Sequence, residues 1–537
     1  MRIARGRSAV FLAVAMLALS GLRSPTQEPE VLTLLRARFP ASGAAPRLIL
    51  DGQAFQSSPL LPCFYERRGY APAWSHDGAL RPAAGEFLSA LAAAGEHGLQ
   101  AEDYRTAALR NLAGAGVSAD LDLLLSNAFL TFAAHLRDGK VNPEAIYRDC
   151  ALGHDETDLA AVLEEALRQN RVRAALAALP PPQRGYELLR EALSRYRRLA
   201  LRGDPEPVPA GPSLRAGDQG ERIAVLRTRL AEASEADAPD AANTANAANA
   251  ANTAEPVAPA ESPALFDAPL EEAVRRFQER HGLAQDGVAG PATLAELNQP
   301  AADHVRQIEV NLERWRWLPH DLGQRHVLIN IGAFRLEAVE DGRTALDMRV
   351  IVGKPYTRTP MFSSAIGSVI LNPSWNVPRS IVPEVLARAR KDPSYLQREG
   401  FETLPGSRLR QKPGPRNALG KIKFVFPNRF GVYLHDTSAP ALFGSTVRTF
   451  SHGCIRIEKP FDLAVWALRD DPRWNADAIR AGIEAGRERN VLLPHKIPVH
   501  VAYWTAWVDS GGTLRLGPDV YQRDDQLAQL LQEETTP

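Results

Sequence analysis

The sequence has few cysteines, no net charge and no long hydrophobic run beyond its first residues. Only three of its 537 residues are cysteines, Cys63, Cys150 and Cys454, which are too few for a disulfide-stabilised scaffold. The 63 basic residues balance 63 acidic ones, so no overall field favours nucleic acid or an anionic membrane as a partner. Hydrophobic residues make up 45% and charged residues 23% of the chain, a globular composition that excludes a disordered chain and a fibrous repeat. A chain of this length and composition predicts about three to four domains.

The first 22 residues have the pattern of a signal peptide. Arg2, Arg5 and Arg7 precede an apolar run, Ala9–Leu22, that is too short to span a bilayer comfortably but suits a signal-peptide core. Ala18-Leu19-Ser20 supplies small residues for cleavage. We therefore interpret residues 1–22 as a signal peptide for export. An uncleaved anchor and a buried N-terminal helix are the alternatives.

Export would place the three cysteines in an oxidising compartment. Whether Cys63 and Cys150 pair stays open at this point. Cys454 stands apart from both, far along the chain. A lone thiol in an exported protein is a liability unless it has a function.

The chain divides into regions of different hydrophobic pattern. Residues 30–200 carry Leu and Ala at three- and four-residue intervals, as in the face formed by Leu124, Ala128, Phe132 and Leu136, and predict a helical scaffold without catalytic chemistry. Prolines between Gly203 and Ser213 mark a linker.

A small module and a β-rich region follow the linker. Residues 213–298 predict a three-helix module, interrupted at 233–263 by an Ala- and Asn-rich tract with almost no large apolar residue, interpreted as a disordered insertion. From 303 to 510 the alternating pattern and the Asp341-Gly342 turn predict a mostly antiparallel, β-sandwich-like sheet. Charges and prolines at about 380–416 suggest an inserted lid subdomain, and 518–537 reads as a C-terminal tail. The predicted fold class is multidomain α+β.

The residue types needed for nucleophilic catalysis lie in the third region. Ser451-His452-Gly453-Cys454-Ile455-Arg456 follows His435, which ends a predicted strand. A thiol is only a few per cent ionised at neutral pH, so a nucleophilic Cys454 needs a base, and His435 could take its proton and return it to a leaving amine. A backbone carbonyl or Asp436 could orient the ring. Gly453 permits a tight turn, so the amides of Gly453 and Cys454 could face an oxyanion.

Other interpretations of these residues are available from the pattern alone. A lone cysteine is often a small buried hydrophobe, and a nearby histidine is often structural. His435, His452 and Cys454 are also ligand types for zinc, but their spacing matches no familiar zinc site.

Two groups of motifs resemble known bacterial cell-wall families. Leu214-Arg215-Ala216-Gly217-Asp218, the segment Phe277–Leu283 and Asp286-Gly287-Val288-Ala289-Gly290-Pro291 resemble the peptidoglycan-binding domain family. His435, then fifteen residues, then Ser451-His452-Gly453-Cys454 resembles the signature of the L,D-transpeptidase catalytic domain. Flanking segments, including Asn372–Pro378 and Lys423–Asn428, agree. With Tyr70-Ala71-Pro72-Ala73-Trp74 near the start, the chain is similar to the large multidomain L,D-transpeptidases of Gram-negative envelopes.

The resemblance implies a function and its residues. Cys454 would be the nucleophile and His435 the proton carrier, while Ser451, His452, Gly453, Arg456 and Asp436 would shape the oxyanion and substrate sites. The expected reaction is 3–3 cross-linking of peptidoglycan stem peptides through a thioester, in the periplasm, in cell-wall biogenesis and cell shape. No metal or organic cofactor is expected; peptidoglycan, carbapenem-type inhibitors and other cell-wall synthesis proteins are the expected partners. An L,D-carboxypeptidase or hydrolase at the same cysteine, and an idle wall-binding scaffold, are the alternatives.

Overall fold

The computed structural model describes residues 27–40, 44–50, 53–153, 156–237, 262–509 and 511–533. The signal peptide interpreted at 1–22 lies outside these residues, as does most of the tract at 233–263. Within the described ranges, no helix is long and apolar enough to cross a membrane. All three cysteines are free thiols.

The N-terminal region is helical, with α5 at the centre of its hydrophobic core. Helix α5 starts where the Ser118 side chain accepts a hydrogen bond from Leu121 N–H and ends before Gly139, whose φ of 92° suits glycine. The elements are α1 (Gln27–Arg38), β1 (Arg47–Leu50), β2 (Gln53–Gln56), α2 (Leu61–Arg67), β3 (Ser75–His76), β4 (Ala79–Leu80), α3 (Pro82–Ala92), α4 (Thr106–Ala115), α5 (Ala119–Asp138), α6 (Pro143–Ile146), β5 (Cys150–Ala151), α7 (Leu159–Gln169), α8 (Val172–Ala177) and α9 (Arg184–Arg202).

A buried carboxylate holds the Tyr70–Trp74 segment against α5. Asp122 accepts hydrogen bonds from the main-chain N–H groups of Ala73 and Trp74, at 2.9 and 2.8 Å, and from the Tyr65 hydroxyl at 2.6 Å. Burial raises the pKa of Asp122. All of these partners belong to the core of the helical region. We therefore assign Asp122 a role in stabilising that core and not in catalysis.

The next region contains three helices, α10 (Glu221–Asp237), α11 (Ala268–Arg280) and α12 (Pro291–Leu297). The Gln278 side chain anchors the turn after α11: its amide donates to Asp286 Oδ1 and to the Val288 carbonyl, and its oxygen accepts from Gly287 N–H. Helix α10 continues through Asp237, so the first residues of the tract predicted to be disordered from 233 are helical. Alanine and glutamate favour helix, which explains the extension.

The third region, which the sequence predicts to be the catalytic region, contains a ten-stranded mixed sheet that closes on itself. Its elements are α13 (Ala301–Arg316), β6 (Arg325–Asn330), β7 (Arg335–Glu340), β8 (Arg343–Gly353), β9 (Met361–Leu371), β10 (Trp375–Asn376), α14 (Val382–Lys391), α15 (Tyr395–Arg398), β11 (Phe401–Leu404), β12 (Arg408–Gln411), β13 (Ile422–Val425), β14 (Leu434–His435), β15 (Thr449–Ser451), β16 (Ile455–Ile457), α16 (Pro460–Leu468), α17 (Ala476–Glu484), β17 (Arg489–Ala502), β18 (Ala506–Val508), β19 (Leu514–Leu516) and α18 (Asp524–Gln532).

Closure of the sheet differs from the expected sandwich-like arrangement. The hydrogen-bonded order β13-β14-β16-β8-β7-β6-β17-β9 returns to β13, because β9 pairs with β17 along one edge and with β13 along the other. Most pairings in the ring are antiparallel, but β14–β16 and β6–β17 are parallel. Closure leaves these strands without a free edge.

The segment expected to be a lid folds as a small subdomain. Helices α14 and α15 pack against a three-stranded sheet of order β10-β12-β11, around a core of Val377, Val385 and Leu409. This unit begins at Trp375, earlier than the predicted boundary at 380, since β10 belongs to its sheet.

The C-terminal residues predicted as a tail are part of the catalytic region. Helix α18 packs on α13, where Arg314 and Asp524 form an ion pair at 2.6 Å. The Tyr521 hydroxyl donates to the Gly353 carbonyl at 2.8 Å and accepts from Thr359 N–H at 3.0 Å. The predicted end of the catalytic domain at 510 is therefore too early. Hydrophobic periodicity missed this segment because its buried contacts involve polar side chains.

A buried ion pair joins the helical scaffold to the catalytic region. Glu313 and Arg316 of α13 are fully buried and lie 2.7 Å apart. Arg316 also donates to the Tyr186 hydroxyl of α9, and Glu313 accepts from Val141 N–H at 2.7 Å. Strand β5 of the N-terminal region extends the same sheet by pairing with β9. The two regions thus share one packed boundary, a feature that the linear sequence does not predict.

Candidate active site

Two parallel strands carry the histidine and the cysteine to the same place. Leu434 pairs with Ile455 and His435 with Arg456, so Cys454 immediately precedes β16, beside β14. The Ile455 N–H donates to the Tyr433 carbonyl at 3.2 Å. His435 and Cys454, separated in sequence, are therefore held on adjacent strands of the closed sheet.

The turn before Cys454 requires glycine. Gly453 has φ of 111°, and a Cβ there would lie 3.4 Å from the Arg358 carbonyl oxygen. The Gly453 carbonyl accepts from the Thr359 hydroxyl at 2.9 Å. The Ser451 hydroxyl donates to the Cys454 carbonyl at 2.5 Å and accepts from Gly453 N–H at 3.1 Å.

These contacts alter the expected oxyanion site. The Gly453 N–H is occupied by Ser451, so it is not available to a bound oxyanion as expected from the sequence. Within the described part of the chain, the Cys454 N–H has no hydrogen-bond partner. Of the two amides considered, Cys454 N–H is the one that can donate to a developing oxyanion.

The main-chain carbonyl of Asp436, rather than its carboxylate, orients His435. His435 Nδ1 lies 2.5 Å from that carbonyl oxygen, and because a carbonyl only accepts, Nδ1 carries the proton and Nε2 is left as an acceptor. The Asp436 carboxylate instead accepts from Lys421 N–H at 2.8 Å and from Thr437 N–H at 2.7 Å. Of the two orienting groups left open by the sequence, the geometry selects the carbonyl.

His435 is neutral at neutral pH. Burial lowers its pKa to about 3, with a further contribution from the positive charges of Arg456 and Lys423. A neutral imidazole whose Nε2 carries no proton is the form that can accept one.

The Cys454 thiol has two polar neighbours that the sequence reasoning missed. Burial raises the pKa of the thiol, while hydrogen bonds from the main chain and side chain of Tyr433, followed by the charges of Lys423 and Arg456, lower it. The Lys423 ammonium lies 3.7 Å from the centre of the Tyr433 ring. Lys423 is the cross-strand partner of His435. The alternation in Lys421–Phe426 was the available signal that Lys423 faces away from Ile422 and Phe424.

His452 contacts the lid subdomain and not the thiol. Its Nε2 lies 3.0 Å from Glu384 Oε2, on α14, and about a third of the His452 side chain is exposed. Trp375 of β10 contacts the Tyr433 hydroxyl and contributes to the pKa of that group. The lid subdomain therefore meets the site at two points, the Glu384–His452 contact and the Trp375–Tyr433 contact.

Arg456 supplies an unpaired positive charge next to the thiol. Burial lowers the pKa of its guanidinium, and its Nε is buried without a hydrogen-bond partner. It forms no ion pair with a carboxylate of the described residues. Such a group can bind a carboxylate of an incoming ligand.

His435, His452 and Cys454 do not form a metal site. Among the residues that the structure describes, no three His, Cys, Asp or Glu side chains are grouped so that they could hold a metal ion.

Three sequence models of known domains match the chain. Residues 324–479 match the L,D-transpeptidase catalytic domain. This chain carries an L,D-transpeptidase catalytic domain. Residues 59–193 match the scaffold domain, and residues 259–297 match the model described as "Putative peptidoglycan binding domain". The resemblance drawn from the motifs is thereby confirmed, as is the multidomain α+β class with a helical N-terminal region and a β-rich catalytic domain.

Individual proteins that match this chain share a third or less of its residues over the aligned parts. A protein of Haemophilus influenzae named "Putative L,D-transpeptidase" is 31% identical over 244 residues, which are 42% of this chain and 49% of the relative. This chain thus spans about half the length of the curated relative that it matches. An L,D-transpeptidase structure from Xylanimonas cellulosilytica is 17% identical over 55% of this chain and 100% of that one, with a TM-score of 0.17. One from Mycobacterium smegmatis is 15% identical over 33% and 58%, with a TM-score of 0.19.

Proposed function

We propose that the protein is an L,D-transpeptidase that joins peptidoglycan stem peptides by 3–3 links through a thioester on Cys454. The observation that carries the proposal is the position of Cys454 beside Nε2-accepting His435, within the matched catalytic domain. The peptidoglycan-binding domain supports a wall polymer as substrate.

The first half-reaction forms the thioester. The Cys454 thiol gives its proton to His435 Nε2, and the sulfur attacks the carbonyl carbon between the third residue of the donor stem and its terminal D-residue. The Cys454 N–H holds the oxyanion. The C–N bond then breaks, and the imidazolium returns the proton to the leaving amine, which departs as a free D-amino acid. Because the pKa of His435 is low, its protonated form is a strong acid toward that amine.

The second half-reaction transfers the acyl group. An amine on a neighbouring stem gives a proton to His435 Nε2 and attacks the thioester carbonyl. The C–S bond breaks, the thiolate takes the proton back, and an amide cross-link remains. Arg456, which has no carboxylate partner among the described residues, would bind a stem carboxylate and so place the donor. Carbapenem-type β-lactams would acylate the same thiol by ring opening.

The site of action that we propose is the periplasm, because the charged and apolar pattern of residues 1–22 is typical of an export signal. Other cell-wall synthesis proteins are proposed partners there. Separation of periplasmic and membrane fractions would test this placement: protein found only inside the cytoplasm would contradict it.

Mass spectrometry of a purified disaccharide-tetrapeptide tests the reaction. The full-length protein should produce dimers with 3–3 links, and Cys454→Ala should lower their yield by at least about 10³-fold, since the nucleophile is lost. His435→Gln should also abolish the product. Cys63→Ala is the matched control, because it removes a free thiol of the helical region and should leave the yield unchanged.

The products also separate the alternatives. Tripeptide without dimers would replace the transpeptidase by an L,D-carboxypeptidase, in which water accepts the acyl group. An unchanged substrate and a Cys454 that no carbapenem modifies would contradict catalysis altogether.

A further inference from the structure

A cleft of about 750 Å³ lies between the peptidoglycan-binding domain and the catalytic sheet. Two contacts set its width. Arg515 on β19 lies 3.4 Å from Glu279 on α11, and Gly282, with φ of +63°, approaches Pro518 so closely that a Cβ would lie 3.1 Å from its Cδ. A cleft of this volume is large enough for a saccharide with an attached peptide.

Arg448 lines the cleft without a carboxylate partner among the described residues. Its guanidinium donates only to main-chain carbonyls, those of Ser445 at 2.8 Å and of Val350 and Phe334 at 3.3 Å. It forms no ion pair with any carboxylate of the described ranges. Burial lowers its pKa to about 10, the neighbouring charge of Arg349 adds to this effect, and the charge of Glu458 opposes it.

The other arginines of the cleft are already neutralised. Arg349 pairs with Glu458 and Arg335 with Asp347. Arg515 pairs with Asp509 at 2.7 Å. Arg448 is therefore the arginine of this lining that has no carboxylate partner among the described residues, and a ligand carboxylate can pair with it.

An aromatic surface and an acceptor lie on the same lining. Trp507 of β18 is partly exposed in the cleft, and its ring edge packs against Gly517. A flat indole can cover the apolar face of a sugar ring. Glu337 of β7 also faces the cleft, where its carboxyl group can accept hydrogen bonds from sugar hydroxyls.

The cleft residue Arg448 is close in sequence to the loop that carries Cys454. The Arg448 carbonyl accepts from Val352 N–H at 2.9 Å, and β15 then runs from Thr449 to Ser451, three residues before Cys454. A ligand against Arg448 would thus rest on the segment that leads into the catalytic turn.

We propose that this cleft is a second binding site, for a peptidoglycan sugar on Trp507 whose attached stem carboxylate binds Arg448. The site does not include Cys454 or His435 and is formed jointly by the catalytic and peptidoglycan-binding domains. Its role is to hold an uncleaved strand of the wall polymer beside the reaction. This inference rests on the proposed function for the choice of polymer.

Calorimetric binding of a purified disaccharide-tripeptide to full-length Cys454→Ala protein tests the site. In that background, Trp507→Ala and Arg448→Gln should each weaken binding by about tenfold or more, while Trp507→Phe and Arg448→Lys should retain most of it. Thr446→Trp places a large ring in the cleft lining without removing any contact of Arg448, and should also block binding. Arg480→Gln on α17, remote from the cleft lining, is the control and should bind like the parent.

Carbapenem acylation of the same variants with Cys454 intact reports whether the catalytic fold survives. Acylation at the parent rate together with weakened disaccharide-tripeptide binding supports the site. Unchanged binding by Trp507→Ala and Thr446→Trp overturns it, and if the parent still forms cross-links, the proposed function stands. A parent that neither binds the muropeptide nor forms cross-links contradicts both.

Discussion

At the scale of single residues, the thiol pocket combines opposing effects. Burial keeps Cys454 protonated at rest, whereas Tyr433 and Lys423 stabilise its ionised form. The His435 beside them is neutral, and in the proposed reaction it accepts the proton of the thiol. Burial therefore keeps the thiol in its unreactive, protonated form. Ionisation to the nucleophilic thiolate depends on the stabilisation that Tyr433 and Lys423 provide.

Tyr433→Phe should raise the pKa of Cys454 further, because it removes the hydroxyl that hydrogen-bonds to the sulfur. A hydrogen bond to a charged group is worth roughly 1.5–3 kcal/mol, so we expect a rise of about one pKa unit or more. The pH dependence of alkylation by a small thiol reagent measures it. Tyr395→Phe, on the lid subdomain, is the matched control and should leave the profile unchanged. A profile identical for both variants would show that the Tyr433 hydroxyl does not act on the thiol.

At the scale of elements, the lid subdomain meets the catalytic loop through α14 and β10. Glu384 on α14 contacts His452, and Trp375 on β10 contacts Tyr433. In both contacts the partner outside the subdomain is close to Cys454: His452 is in the loop before it, and Tyr433 precedes the neighbouring strand β14. The position of this subdomain should therefore govern access to the thiol.

Glu384→Gln should increase the rate of Cys454 alkylation several-fold, since it weakens the contact that holds α14 over the loop. The effect on stability should be less than about 1 kcal/mol, because both partners are partly exposed. Glu402→Gln serves as control: Glu402 pairs with Arg410 inside the same subdomain and does not touch the loop. Equal alkylation rates in the two variants would rule out a gating role for the Glu384 contact.

The Ala- and Asn-rich tract can be shortened only within a geometric limit. Helix α10 places Asp237 about 24 Å from its start, while Ala264 hydrogen-bonds to Gly220 at that start. Deleting Ala242–Thr253 leaves fourteen residues between Asp237 and Ala264, which can span this distance. We expect that variant to keep its Tm and its cross-linking activity. Deleting Ala236–Pro259 leaves too short a connection and should lower the Tm, by unravelling the last turns of α10. Equal Tm values for the two deletions would contradict this limit.

At the scale of the whole molecule, the domains share buried polar groups and cannot be treated as separate units. Glu313 and Arg316 link the scaffold to the catalytic region, and α18 covers α13. Removing one partner of a buried ion pair lowers the stability of the fold strongly, because the other charge is left buried and unpaired. The scaffold therefore acts as a structural part of the catalytic fold.

Acid should destabilise the protein below about pH 6.5. Burial lowers the pKa of His97, His135 and His435 to about 3 and that of His500 to about 4. These groups contribute stability that is present above the unfolded value near 6.5 and is lost as the pH falls toward the folded values, because the unfolded chain binds their protons first. The Tm should be lower at pH 5 than at pH 7, and His135→Gln should reduce that difference. An equal or higher Tm at pH 5 would contradict the histidine contribution.

The sequence alone indicated the residues of the proposed chemistry and the order of the domains. Three features can be recognised from residues that are close together in the sequence. They are His435 with the Ser451–Cys454 motif, the module motifs around Phe277 and the helical spacing of residues 30–200. The helices and most strands follow from the same periodicity, with shifted ends.

Only the tertiary structure decided which groups surround the thiol. Tyr433 and Lys423 reach Cys454 because β13, β14 and β16 are neighbours in the closed sheet, and neither residue carries a motif. The use of the Asp436 carbonyl, the loss of the Gly453 amide to Ser451 and the burial of Tyr521 against Gly353 likewise depend on contacts between distant segments. Such contacts are set by how strands pair and close, which requires packing energies summed over the whole chain and not the preferences of any one segment.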